Sequence, residues 1–83
     1  MKVEIYSKSN CPFCEKAKHW FDSHGYEYTE SRLDDEEQRL AFYQRVPNAR
    51  SVPQIFIDDK LIGTYDQFIA IADQFVKKKG GGL

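Results

Sequence analysis

The sequence predicts an α/β domain: one mixed four-stranded sheet flanked by three helices, in the order β-α-β-α-β-β-α. Three observations carry this. Short alternating stretches and helix-spaced apolar stripes follow one another along the chain. Two extended stretches near residues 54–57 and 60–64 are separated only by Asp58-Asp59, which reads as a hairpin turn. The chain has 83 residues, room for one small domain. Helical crossovers require the early strands to be parallel, and the hairpin adds antiparallel ones, so the sheet is mixed.

The first strand is "VEIYS", residues 3–7, with Val3 and Ile5 on one face. A helix follows. Pro12 suits its first position, where a missing N–H costs nothing, and this makes Cys11 the N-cap. Cys14, Ala17 and Phe21 recur at helical spacing with Trp20 beside them, and Gly25 ends the run. "YEYTES", residues 26–31, alternates as a second strand. The second helix opens with Asp34 as N-cap and Glu37 three residues on, a capping box, and Pro47 stops it. After the hairpin a last helix begins near Asp66, with a buried stripe of Phe68, Ile69, Ala72, Phe75 and Val76. Lys77, Lys78 and Lys79 suit the negative end of its dipole. Residues 1–79 are expected to form the domain and residues 80–83 a flexible tail.

Composition narrows the function. The chain is 41% hydrophobic and 14% aromatic, enough for a modest core. Charged residues make up 30%, yet the net charge is −1, which argues against broad nucleic-acid binding. No apolar run approaches the roughly 18 residues a membrane span needs, and the N-terminus lacks the apolar segment of a signal peptide. A cytoplasmic, reducing compartment and a monomer are therefore expected.

The two cysteines stand in "CPFC". A bridge between Cys11 and Cys14 closes a tiny loop, for which the chain-entropy model gives roughly 2 kcal/mol against about 3 for a fifteen-residue loop. Such a bridge is a weak staple and a good candidate to be made and broken. The thiolate is the reactive form, and an ordinary thiol of pKa about 8.5 is only a few per cent ionised at neutral pH. At a helix N-terminus Cys11 faces unpaired N–H groups and the positive dipole end, worth about 0.3–1 kcal/mol to an anion. Lys8, three residues upstream, adds positive charge. Cys14 lies on the apolar stripe and stays sheltered. One exposed nucleophile and one sheltered resolving thiol suit thiol–disulfide exchange.

Two other readings compete. Cys11, Cys14, His19 and His24 have ligand types and spacing similar to a zinc knuckle. On a single helix, however, His19 lies about 140° around from Cys14, so the four do not converge and no metal is expected. Solvated helix positions account for both histidines. Two inert core thiols are the bland reading, and a cysteine beside Pro12 at a helix mouth is poorly placed for it.

Over residues 2–76 the sequence resembles the dithiol glutaredoxins. The marks are "CPFC" after the first strand, "SVPQIFID" before the hairpin and "IGTYDQF" entering the last helix. The resemblance implies the thioredoxin-like fold. It also implies reduction of protein disulfides and glutathione mixed disulfides, with glutathione as electron donor. It implies Cys11 as nucleophile, Cys14 as resolving thiol and a cis bond before Pro53. The glutathione site would comprise Lys8 at the glycine carboxylate, Phe13 lining the cleft, and Val52 pairing with the cysteine backbone as an added strand beside Pro53. Thr64, Tyr65, Asp66 and Gln67 would hold the γ-glutamyl end. Clients would be disulfide-bearing or glutathionylated proteins, ribonucleotide reductase among the possible ones.

Three departures bear on that site. Phe13 stands where many members have tyrosine. Thr64 replaces the second of two glycines. Gln67 replaces an aspartate that pairs with the γ-glutamyl ammonium, a role Asp66 is placed to take over. These changes keep a second redox reading in play, a redoxin reduced by thioredoxin reductase. A third reading, a carrier of an iron–sulfur cluster ligated by Cys11 and glutathione, is disfavoured by Pro12.

Overall fold

The structure, a computed structural model, describes residues 2–49 and 51–75. The elements are β1 (Val3–Ser7), α1 (Pro12–Ser23), β2 (Thr29–Arg32), α2 (Glu36–Arg45), β3 (Gln54–Ile57), β4 (Lys60–Gly63) and α3 (Tyr65–Ile71), followed by a 3-10 turn over Ala72–Phe75. The strands form one sheet in the order β2-β1-β3-β4. β1 runs parallel to β2 and antiparallel to β3, and β3 and β4 form the hairpin. The sheet is mixed, as the sequence reading expects, but its antiparallel pairing is not confined to the hairpin, because the connection through α2 returns β3 antiparallel to β1.

Alternation along the two central strands divides the core. Val3, Ile5, Ile55 and Ile57 face one side, where α1 brings Ala17 and Phe21, and Phe68 and Ala72 follow from α3 and the turn after it. Tyr6 and Phe56 face the other side, where Leu33 of the corner after β2 and Phe42 of α2 close a smaller cluster. The sheet is thus covered on both faces, and β1 is buried on both. The larger cluster is aromatic: the rings of Phe21 and Phe68 lie 4.9 Å apart, and Trp20 meets Phe68 edge-on at 4.8 Å.

Several boundaries differ from the sequence reading, some through local capping and one through a distant partner. β2 starts at Thr29 rather than residue 26. The Tyr26 N–H is drawn to the Phe21 carbonyl at 2.9 Å and Gly25 N–H to Asp22 at 3.2 Å, a paired closure of the α1 C-terminus that leaves Tyr26 outside the sheet. Gly25 makes that closure at φ +78, as a helix-ending glycine does. The N-cap of α2 is Asp35, which accepts the Gln38 N–H at 3.2 Å, and not Asp34. Asp34 is turned instead toward Ser9 and Arg32. α3 begins at Tyr65, one residue earlier than read, with Thr64 as N-cap, so β4 ends at Gly63. Phe68 and Ala72 are buried, whereas Ile69 is 40% exposed, because a helix this short turns a single narrow stripe inward. The side chain of Phe75, Val76, Lys77–Lys79 and the tail 80–83 lie outside the described residues.

The hairpin turn falls on Asp58 and Asp59, both in left-handed backbone at φ 52 and 69. That is the type I′ geometry whose twist matches paired strands. The Lys2 N–H donates to Asp58 Oδ1 at 2.8 Å, tying the start of the chain to the turn.

Candidate functional site

The end of β1 and the start of α1 place the cysteines. Pro12 opens α1, and Cys11 is its N-cap in extended backbone. The Cys14 N–H donates to Cys11 Sγ at 3.2 Å, so the sulfur takes the place a serine oxygen holds in an ordinary cap. The two residues form a disulfide with their Cα atoms 5.2 Å apart. Cys14 is completely buried and Cys11 is partly exposed. A sulfur bonded to a first-turn N–H at a helix mouth is an environment that favours the anion.

The Val52–Pro53 bond is cis, and the Val52 carbonyl oxygen lies 3.8 Å from Cys11 Sγ. Two depressions flank this point. One, of about 250 Å³, runs past Phe13, Val52 and Pro53 to Thr64, Tyr65 and Asp66. Its wall includes Phe13, 49% exposed, whose ring sits 6.0 Å from that of Tyr65. The other, of about 300 Å³, is lined by Lys8, Asp34, Arg39 and Tyr43. Ser51 and Val52 line both, so the two adjoin there as one trough; Cys11 Sγ approaches it at the Val52 carbonyl and itself lines a separate depression with Asn10, Pro12 and Glu15.

Seven of the eight non-cysteine residues singled out from the sequence border this trough: Lys8, Phe13, Val52, Pro53, Thr64, Tyr65 and Asp66. Gln67 does not. Its Oε1 accepts the Thr64 N–H at 2.9 Å and so caps α3. Gly63, at φ +120, makes room for it; a Cβ there would stand 2.0 Å from Gln67 Oε1. Sequence reasoning did not single out Ser51, Lys16 or Asp34 for the site. Ser51 is adjacent to Val52 and follows from it. Lys16 sits with its ammonium 4.9 Å from the Phe13 ring centre, a cation–π contact at helical spacing. Asp34 gave no usable signal, because its partner Ser9 is 25 residues away.

A polar network fastens α1 to the sheet. Lys18 Nζ donates to Glu30 Oε2 at 3.0 Å and pairs with Glu15 at the same distance. The buried Ser7 hydroxyl donates to Glu30 Oε2 at 2.5 Å. Burial pushes the Glu30 carboxyl up, but the bonds from Ser7 and Lys18 outweigh it and hold the group below its ordinary value. Burial likewise lowers Lys18, and its bonds to Glu15 and Glu30 outweigh that and raise it. Asp34 is held low by the Ser9 hydroxyl and backbone, with help from Arg32. Among the described residues no group of three or more His, Cys, Asp or Glu side chains is placed to hold a metal ion. His24 is stacked on Trp20 at 3.9 Å, with Nδ1 2.8 Å from the Trp20 carbonyl oxygen. No helix of the described residues is long and apolar enough to cross a membrane.

A covered mixed sheet with a C-x-x-C disulfide at the mouth of its first helix defines a thiol–disulfide oxidoreductase of thioredoxin-like architecture. Comparison with known proteins gives the family. The glutaredoxin family model matches residues 3–62, and the chain belongs to the glutaredoxin family. A probable glutaredoxin of Synechocystis is 45% identical over 71 residues, covering 84% of this chain and 81% of that protein. Glutaredoxin 3 of Escherichia coli is 36% identical over 69 residues, covering 83% of each. Among solved structures, glutaredoxin 1 from Francisella tularensis in complex with cacodylate superposes with a TM-score of 0.78. It is 38% identical, over 89% of this chain and 94% of that one. A buckwheat glutaredoxin–glutathione complex is similar at a TM-score of 0.73 and 30% identity, over 88% of this chain and 69% of that one.

Proposed function

We propose that this glutaredoxin reduces glutathione mixed disulfides and protein disulfides with glutathione as electron donor, and that it works as a cytoplasmic monomer. The observation that carries the reading is the trough that meets the partly exposed Cys11 at Val52. It suits an extended tripeptide: Lys8 stands for the glycine carboxylate, and Val52 offers backbone groups for strand-like pairing. Phe13 and Pro53 form the apolar wall beside the cysteine, and Thr64, Tyr65 and Asp66 face the γ-glutamyl end. Gln67 acts through the cap of α3. The buckwheat relative, solved with glutathione, supports the same ligand class.

Cys11 thiolate attacks the glutathionyl sulfur of a mixed disulfide, and the client thiolate leaves. A second glutathione thiolate attacks the sulfur it carries, releasing glutathione disulfide and restoring Cys11. With a protein disulfide, Cys11 forms the mixed disulfide with one client sulfur. Cys14 then attacks Cys11, the reduced client departs, and the 11–14 bridge forms. Two glutathione molecules reduce that bridge. Clients are therefore disulfide-bearing or glutathionylated proteins, with ribonucleotide reductase a candidate to test.

The test is turnover of a small glutathione mixed disulfide with glutathione, NADPH and glutathione reductase. Robust turnover is expected. The bond between Gln67 and Thr64 favours a second reading, because it withdraws the carboxamide oxygen from a ligand at that end. No glutathione-linked turnover, with disulfide reduction coupled to NADPH through thioredoxin reductase, would establish that reading instead.

A further inference from the structure

We propose that Asp34 is a positioning residue for glutathione: acting through Ser9, it holds the loop that carries Lys8. The inference rests on the reading of Lys8 as a glutathione-binding residue. The loop Lys8–Asn10 joins the end of β1 to the Cys11 cap and contains a left-handed residue, Asn10, at φ 56. Asp34, from the corner after β2, receives the Ser9 N–H at 3.2 Å on Oδ2 and 3.3 Å on Oδ1, and also the Ser9 hydroxyl. Arg32 closes the clasp, donating to Ser9 Oγ at 2.8 Å and to Asp34 Oδ2 at 3.0 Å. Just upstream, one residue before Asp34 and two before Ser9, the Leu33 N–H donates to the Ser7 carbonyl at 2.7 Å, so the corner and the loop are zipped together. Lys8 and Asp34 line the same half of the trough. Both Asp34 oxygens are engaged by Ser9 and Arg32, which leaves the Lys8 ammonium to an incoming carboxylate. The Cys11 cap is made within α1 and does not depend on the clasp. Asp34 should therefore govern binding and leave the chemical step alone.

The test compares wild type with Asp34→Ala, Lys8→Met and the double variant in the full chain. Readouts are amide hydrogen exchange at Ser9 and the KM and kcat for a small glutathione mixed disulfide. Asp34→Ala is expected to speed Ser9 exchange and to raise KM about twofold to fivefold, the range of an exposed charged contact, with kcat unchanged. In the Lys8→Met background it should raise KM no further. Ser9 exchange unaltered by Asp34→Ala would overturn the clasp. Faster exchange with an unchanged KM, an additive effect in the double variant, or a parallel loss of kcat would overturn the positioning role. An unchanged KM in Lys8→Met alone would reject the reading of Lys8, and this inference with it, while the exchange result still reports on the clasp.

Discussion

Cys11 and Cys14 differ only in where α1 puts them. One lies at the cap with its sulfur on a main-chain N–H, and the other lies one turn in and fully buried. Exchange proceeds through the accessible thiolate, so replacing the two sulfurs should have unequal effects. Cys11→Ser is expected to abolish both disulfide reductions. Cys14→Ser should keep turnover of a small glutathione mixed disulfide and lose reduction of a protein disulfide. Parallel assays on the two substrates check this, and equal losses in both variants would refute the division of roles. This asymmetry is legible in the sequence, since Pro12 marks the first helical position and the spacing of Cys14, Ala17 and Phe21 marks the buried stripe. Gln67 is the opposite case. Its place in the chain suggests a ligand contact, and the structure turns its oxygen back to Thr64.

At the scale of elements, two glycines serve helix ends in different ways, Gly25 closing α1 and Gly63 preceding the cap of α3. Gly25 ends α1 in left-handed backbone with open space around it, so Gly25→Ala should cost about 1 kcal/mol through backbone conformation alone. Gly63 also has positive φ, but a side chain there meets Gln67 and disrupts the cap of α3. Gly63→Ala should cost more, about 1–3 kcal/mol for the strained backbone and roughly another 1 for the lost cap. Urea unfolding of the two variants ranks them; a Gly63→Ala protein as stable as Gly25→Ala would contradict the account. Helix and strand existence follows from residue patterns, whereas boundaries follow from competition for N–H groups. Tyr26 is an alternating aromatic in sequence, but its N–H goes to Phe21, and the strand therefore begins at Thr29. The sequence points to Asp34 as the cap; Ser9 and Arg32 claim its carboxylate, and Asp35 caps the helix instead.

At the scale of the whole molecule, the aromatic cluster between the sheet, α1 and α3 is the larger of the two buried clusters. Phe21 and Phe68 are both fully buried, so Phe68→Ala should destabilise by about 3–5 kcal/mol, read from urea midpoints. The Ser7–Glu30–Lys18 network adds a pH dependence. The Glu30 folded pKa lies below its ordinary value of 4.5. Its contribution is therefore fully present above that value and is lost as pH falls through the lower folded value. Lys18 is raised from 10.5, so its contribution is present below that value and fades as pH rises through the higher folded one. Between pH 6 and 9 neither changes. Unfolding free energy measured from pH 6 down to pH 3 should fall less steeply in Glu30→Gln than in wild type, and identical slopes would discount the network. The sequence by itself determined the order of elements, the parallel pairing of β1 with β2, the hairpin of β3 and β4 with its turn at Asp58-Asp59, and the redox pair; the antiparallel seat of β3 beside β1 came from the tertiary structure. The features the sequence determined depend on local periodicity, turn chemistry and the spacing of two cysteines. Only the tertiary structure decided which N–H groups went to which acceptors. It also decided that Ser51 and Val52 bridge two depressions into one trough, and that Ser9 meets Asp34 across 25 residues. Those outcomes depend on groups that are brought together when the sheet closes, and a linear pattern carries no record of which distant donor arrives first.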